Sequence, residues 1–304
     1  MNIGDALNEA LGEKTAPAVP LAAGLPATVG VLGGGRMGAG IAHAFLVKGA
    51  RVLVVERDED AARGARERVA SSVAASVERG AVSAGAEALL ADFATSVDYA
   101  DFALCDLVVE AVPEDPGLKA TALAAVEREI SPHAYLATNT SSLSVTGLAA
   151  SLERPARFLG LHFFNPVPAS ALIEVVVAQD TSEETLAAAR GWVEALGKTA
   201  VVVKDAPGFA SSRLGVAIAL EAMRMLEEGV ASAEDIDNAM VLGYRHPTGP
   251  LKTTDIVGLD VRLGIAEYLH QTLGERFAPP RILREKVANG ELGRKTGKGF
   301  YDWT

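Results

Sequence analysis

Between Thr28 and Glu56 the apolar run TVGVL leads into GGGRMG, then into GIAHAFLVKGA, and then into a second apolar run, RVLVVE. Short apolar runs bounded by turn signals read as buried strands, and the longer segment between them as a helix. The unit is therefore strand, Gly loop, helix, strand. Gly33, Gly35 and Gly38 occupy the G-x-G-x-x-G positions. The first glycine permits a tight turn, the second lets backbone approach a pyrophosphate, and the third lets helix and strand pack closely. The helix N-terminus offers N–H groups and a positive dipole end to the phosphates. Glu56 ends the second strand, 18 residues beyond Gly38, where a carboxylate can accept both hydroxyls of an adenosine ribose. The spacing predicts a dinucleotide site in which the turn Gly33, Gly35, Arg36, Met37, Gly38 and the acid Glu56 hold the cofactor. A carboxylate repels a 2′-phosphate, so NAD is expected. Arg36 and Arg57 lie close by and keep NADP possible.

Strand and helix patterns go on alternating after this unit. A helix-rich stretch covers 58–92, strand runs fall at Ala94–Val97, Leu107–Ala111 and Tyr135–Thr138, and a helix spans Gly117–Ile130. Two more apolar runs flank a Pro-broken turn in RFLGLHFFNPVPASALIEVVV, a helix follows at Ser182–Leu196, and KTAVVVKD supplies a last strand. The fold class is α/β: a Rossmann-type doubly wound, mainly parallel sheet, followed by an all-α domain. The Pro-Gly of KDAPGF marks the boundary. Residues 1–26 are expected to form a loose arm with a short helix at Ile3–Leu11. Residues 27–206 are expected to form the dinucleotide-binding domain, and 207–304 a helical domain that closes over the site and pairs subunits as a homodimer. In that second domain YRHPTGP reads as a turn, between a helix starting at SAEDIDNAM and one formed by VRLGIAEYLHQTL.

Composition excludes several classes. The net charge of −11 argues against a nucleic-acid surface, though not against a local basic pocket for one phosphorylated small molecule. No segment is long and apolar enough to span a bilayer, and the first residues lack the basic start and apolar run of a secretory signal. A single cysteine, Cys105, cannot form an internal disulfide, which fits a reducing cytoplasm. No Cys/His cluster has metal-ligand spacing.

The candidate chemistry gathers where the parallel strands end. His162 closes one strand, and Glu174 lies within the next. Oxidising an alcohol with a nicotinamide needs a base for the hydroxyl proton, and imidazole titrates in the working range. A carboxylate on its other nitrogen fixes the tautomer and stabilises the imidazolium. A histidine in an apolar strand is also often a satisfied core residue, and the pattern alone leaves that open. Glu110, Glu114 and Lys119 follow one strand, and TNTSSLS, with Thr140, Ser141 and Ser142, follows another. The hydroxyls have the alternative role of capping a helix near Val145, and Glu110 that of capping backbone. Ser72 and Arg79 lie seven apart on one helix face, where a plain solvated surface is the simpler reading.

Together GGGxMGxGIAxxF, VVEAVxE, TNTSSLS, GLHFFNPVPxxxLIEVV, VVVKDxPGF, the DIDxAM…PxGPL…GLD run and the terminal GRKTGKGFYDW resemble the L-3-hydroxyacyl-CoA dehydrogenases, including the bacterial 3-hydroxybutyryl-CoA type. The resemblance runs in order over about residues 28–303. It implies that His162 is the base and Glu174 its partner, and that Ser141 binds substrate beside the nicotinamide. It implies that Asn165 contacts the reacting end, and that Glu114, Lys119 and Lys295 touch NAD. It also implies that Ser72 and Arg79 contact coenzyme A. One position departs: Ser212 stands in PGFASSRL where the family has an asparagine at the substrate, which bears on substrate choice. Two alternatives stay open, a dehydrogenase of a free 3-hydroxy acid or sugar acid, and a non-catalytic dinucleotide-binding protein.

Overall fold

A computed structural model of the chain describes residues 21–304. The helix expected at Ile3–Leu11 lies outside the described residues. The end of the expected arm is part of the fold: Leu25 is 8% exposed, and the Ala22 N–H donates to the Lys48 carbonyl at 2.9 Å.

The first of two compact units ends at Asp205. Its elements are β1 (Thr28–Leu32), α1 (Arg36–Leu46), β2 (Arg51–Val55), α2 (Glu59–Glu78), α3 (Ala86–Leu90), β3 (Phe93–Ser96), β4 (Leu107–Glu110), α4 (Pro116–Glu129), β5 (Tyr135–Thr138), α5 (Val145–Ala149), β6 (Phe158–Phe163), β7 (Leu172–Val177), α6 (Glu183–Ala195) and β8 (Thr199–Lys204). One eight-stranded sheet takes the order β3-β2-β1-β4-β5-β6-β7-β8, and every neighbouring pair is parallel except β6 and β7. Strands β1, β4 and β6 are buried along their whole length, which is why they read as mainly apolar runs rather than alternating ones, with Glu110 ending β4 and His162 near the end of β6. The helices start where local chemistry allows. Asp58 caps α2 by accepting from Ala61 N–H, Asp115 caps α4 with Pro116 just inside it, and Ser182 caps α6 ahead of Glu183 and Glu184.

Register then decides what meets at the carboxyl edge. Leu32 pairs with Val55 on one side and Glu110 on the other, Glu110 pairs with Thr138, and Thr138 pairs with Gly160. The strand ends thus form one rim, and His162 lies two residues past Gly160 on it. Because β7 runs back antiparallel, its early residue Glu174 pairs directly with His162. Cross-strand partners point to the same face of a sheet, so the reversal of a single strand delivers a carboxylate to the imidazole.

The second unit runs from Ala206 to Thr304. It contains α7 (Ser211–Glu227), α8 (Ala233–Tyr244), α9 (Pro250–Val257), α10 (Leu259–Leu273) and α11 (Arg281–Ala288) around a core that includes Leu220, Met223, Leu251 and Leu269. Helix α9 corrects the sequence reading, which had only a turn before VRLGIAEYLHQTL. Its N-cap is Gly249, with no side-chain cap. The start is satisfied instead from α8, where Asp237 accepts from the N–H groups of Leu251 and Lys252 at 2.8 and 2.9 Å. Asp255, at the far end of α9, then accepts from Phe300 N–H, Tyr301 N–H and Trp303 Nε1–H, all within 2.9 Å, and fixes the aromatic C-terminal segment to the bundle.

Candidate active site

The Gly loop is shaped by its own sterics. Gly33 has φ +90°, and a Cβ on Gly38 would fall 1.8 Å from the Gly33 carbonyl oxygen. A Cβ on Gly35 would meet nothing within 4 Å, so that face of the loop is open. No side chain caps α1 at Gly35, leaving the helix N-terminus suited to an anion. Glu56 accepts from Gly34 N–H at 2.7 Å, which brings the strand-end acid onto the loop. An open backbone edge, an uncapped helix start and an adjacent carboxylate fit an adenine dinucleotide. Gly38→Ala is therefore expected to abolish NADH binding and lower the melting temperature. Gly35→Ala is expected to melt as the parent does, yet bind NADH on the order of tenfold more weakly, because its methyl occupies the pyrophosphate's approach. NADH fluorescence titration beside thermal melts checks both, and equal behaviour of the two variants would contradict the assignment.

On the rim, His162 Nδ1 and Glu174 Oε2 lie 2.8 Å apart, with His162 6% and Glu174 0% exposed. The Phe164 ring sits 4.3 Å from the imidazole, centroid to centroid. Asn139 Oδ1 accepts from Phe163 N–H at 2.9 Å and ties the end of β6 to the TNTSS loop. Sequence reasoning missed Asn139, since nothing in its spacing marks it. Asn165 follows in the turn after β6, and that turn is held from below by Lys198, whose ammonium donates to the carbonyls of Val167 (2.8 Å) and Ser170.

The TNTSS loop is organised by one carboxylate. Glu114 Oε1 accepts from Thr140 Oγ1 at 2.6 Å and Ser141 N–H at 2.9 Å, and stands 3.2 Å from Ser142 N and 3.3 Å from Ser141 Oγ. Burial alone would raise its pKa. The nearby Lys119 charge and the hydrogen bonds from Thr140 and Ser141 outweigh burial and hold it below the usual range. The alternative helix-capping role of Thr140, Ser141 and Ser142 falls to Ser144, whose hydroxyl accepts from Gly147 N–H. Lys119 is 1% exposed beneath the rim. Its ammonium donates to Glu110 Oε1 at 2.7 Å and the Val112 carbonyl at 3.1 Å, and lies 3.4 Å from Glu114 Oε2. Glu110 does cap backbone, accepting from Val112 N–H at 2.6 Å, and it also receives the Thr138 hydroxyl at 2.6 Å. Lys119 thus supports the rim from inside.

Ser72 on α2 is half-buried, and Arg79 at the C-cap of α2 is exposed. Together with Arg36, Arg68 and Asn165 they line a cavity of about 800 Å³ in the first unit. Behind it, His43 on α1 is buried with Nε2 2.9 Å from Ser76 Oγ on α2. Burial, and then the charges of Arg79 and Lys198, lower its pKa below 6.5. The fold prefers the neutral ring, so this contribution is complete above pH 6.5 and is lost as pH falls through the lowered value. The parent's melting temperature should fall between pH 7 and pH 5 more steeply than that of His43→Gln. Parallel curves would assign the slope to other groups.

In the second unit, Lys295 Nζ donates to both carboxylate oxygens of Asp260, at 2.6 and 2.7 Å. Ser212 is the second residue of α7.

The loop, the acid upon it and the carboxylate-oriented imidazole on the same sheet define a dinucleotide-dependent dehydrogenase of the Rossmann type. The NAD-binding-domain profile of 3-hydroxyacyl-CoA dehydrogenase matches residues 28–206, and the C-terminal-domain profile matches residues 208–303. The chain belongs to the 3-hydroxyacyl-CoA dehydrogenase family. A probable 3-hydroxybutyryl-CoA dehydrogenase of Deinococcus radiodurans is 40% identical over 275 residues, covering 90% of this chain and 99% of the relative. The mitochondrial hydroxyacyl-coenzyme A dehydrogenase of Homo sapiens is 40% identical over 284 residues, covering 90% of each. Among solved structures, the (S)-3-hydroxybutyryl-CoA dehydrogenase of Ralstonia eutropha is similar at a TM-score of 0.88 and 39% identity, covering 92% of this chain and 100% of that one.

Proposed function

We propose that the chain interconverts a (3S)-3-hydroxyacyl-CoA, such as 3-hydroxybutyryl-CoA, and its 3-oxoacyl-CoA, using NAD. The observation that carries this reading is the 2.8 Å His162–Glu174 pair on the sheet edge that also presents the Gly loop and the Ser141 rim. NAD, when bound, supplies the hydride acceptor. His162 removes the C3 hydroxyl proton. Its Nδ1 is committed to Glu174, so Nε2 handles that proton, and the Glu174 carboxylate stabilises the resulting imidazolium. Ser141, positioned by Glu114, orients the substrate oxygen, and Asn165 contacts the substrate's reacting end. Glu114 and Lys119 complete the cofactor surroundings in the first unit, Lys119 through the carboxylates it holds.

The cavity bearing Ser72, Arg79 and Asn165 favours a CoA thioester over a free acid, since a free 3-hydroxy acid has nothing to fill it. The intact His162–Glu174 pair speaks against a non-catalytic protein. Consumption of NADH with acetoacetyl-CoA, absent with acetoacetate, is the expected result. NADH oxidation with acetoacetate alone would favour the free-acid enzyme, and turnover with neither the non-catalytic one. A series of acyl lengths reads what Ser212 does to substrate choice.

A homodimer through the second unit is supported by apolar side chains left exposed there: Leu214 and Ile218 one turn apart on α7, Leu242 and Tyr244 on α8, and Val257 and Val261 across the α9–α10 junction. Sedimentation at micromolar concentration should give twice the 31.5 kDa chain mass. No helix among the described residues is long and apolar enough to cross a membrane. The single cysteine, Cys105, is buried, with its thiol pushed up to about 12 by burial, in keeping with a cytoplasmic protein.

A further inference from the structure

The roughly 800 Å³ cavity holds more positive charge than the CoA reading has used. Its charged lining is Arg36, Arg68 and Arg79 against the single carboxylate of Glu67, a local excess of cations in a chain of net charge −11. Arg68 and Ser72 on α2 and Arg79 at its C-cap stand at spacings of four and seven, so they form one line along the cavity wall. Arg68 differs from Arg79 in being tied to the cofactor loop. Its Nη1 donates to the Gly34 carbonyl at 2.9 Å. Gly34 in turn donates its N–H to Glu56, so Arg68 and Glu56 grip one residue of the cofactor loop from both sides of its backbone.

We propose that Arg68 is a specificity-determining residue that reads the phosphorylated, nucleotide end of the thioester carrier from this cavity. The proposal rests on the CoA reading above. A guanidinium carries five N–H donors in a rigid fork, so one bond to Gly34 leaves donor capacity for a phosphate. That bond also restricts the side chain before any ligand arrives. Less rotamer freedom is then lost when a phosphate is captured, the usual advantage of a preorganised cation. The same bond makes Arg68 part of the cofactor loop's support, whereas Arg79 donates to Ser76.

The test compares acetoacetyl-CoA with acetoacetyl-pantetheine, which has the same reacting end and lacks the nucleotide and its phosphates. In Arg68→Met the KM for acetoacetyl-CoA should rise about 10- to 100-fold with kcat within about twofold, the size of a lost charge-assisted contact. With NADH saturating for each variant, the kcat/KM for acetoacetyl-pantetheine should stay within about twofold of the parent. NADH affinity should weaken by a few-fold in Arg68→Met and not in Arg79→Met, because only the former loosens Gly34. Equal losses with both thioesters would assign Arg68 a structural role and overturn the proposal. So would an unchanged KM for acetoacetyl-CoA, including the case where only the NADH-to-NADPH preference moves, which would assign the guanidinium to a cofactor 2′-phosphate. If the methionine variant fails to fold, Arg68→Lys carries the same comparison: it keeps the charge but not the fork, and a selective rise in the acetoacetyl-CoA KM is still required. A parent enzyme that shows no preference for acetoacetyl-CoA over acetoacetyl-pantetheine would instead overturn the CoA reading itself.

Discussion

His162→Gln should lower kcat for acetoacetyl-CoA reduction by about 10³-fold, within the range expected for losing a positioned general acid or base. The dissociation constant of NADH should be unchanged, because the imidazole lies on β6 and the Gly loop follows β1. In the reduction direction the ring donates the proton that the new C3 oxygen requires, and glutamine has no titrating group to do so. Glutamine is close to histidine in volume and polar, so the surroundings lose little packing against Phe164. Glu174→Gln should give a smaller loss, about 10- to 100-fold. Its amide oxygen can still accept from Nδ1, but the charge opposite the imidazolium is gone. Stopped-flow kinetics with NADH absorbance separates these steps from product release. A His162→Gln enzyme within tenfold of the parent would remove His162 from the chemistry.

The sequence disclosed these features unevenly, for physical reasons. The Gly loop was legible because its constraints are local: a positive φ at Gly33 and clearance at Gly38 are requirements that only glycine meets. The sheet was legible because strands buried along their length must be largely apolar, β1 and β4 departing only at an end, with Thr28 and Glu110. His162 and Glu174 could be paired from the text because a Pro-broken turn joins their strands and sets a short, antiparallel register. The support beneath the rim was not legible. Glu114 gathers donors from Thr140, Ser141 and Ser142, some 26 residues away, and that depends on β4 and β5 being neighbours. Helix α9 was hidden for a similar reason, as the carboxylate satisfying its first turn sits on α8. Arg68 gave no signal, because its partner is a backbone carbonyl 34 residues earlier.

Lys119→Met tests that hidden support and should produce the largest stability loss. Lys119 is 1% and Glu110 0% exposed, and their 2.7 Å contact is a buried ion pair. Removing the cation leaves Glu110 charged, out of water, with Val112 N–H and the Thr138 hydroxyl as its remaining donors among the described residues. Breaking a buried pair from one side costs about 3–5 kcal/mol. For a unit of this size that amounts to a fall of roughly 10 °C in melting temperature. Glu114 loses the positive charge that offsets its own burial, so its carboxyl should shift upward and its hold on Ser141 weaken. Activity should therefore fall alongside stability, through Ser141 rather than His162. The double variant Glu110→Gln/Lys119→Met discriminates between loss of packing and loss of charge balance. Glutamine keeps an acceptor for Val112 and Thr138 and carries no charge to strand. If the cost of the single variant is electrostatic, the double variant should melt several degrees above it despite having one more substitution. If it melts lower, the pair is not what Lys119 contributes, and its methylene packing under the rim is.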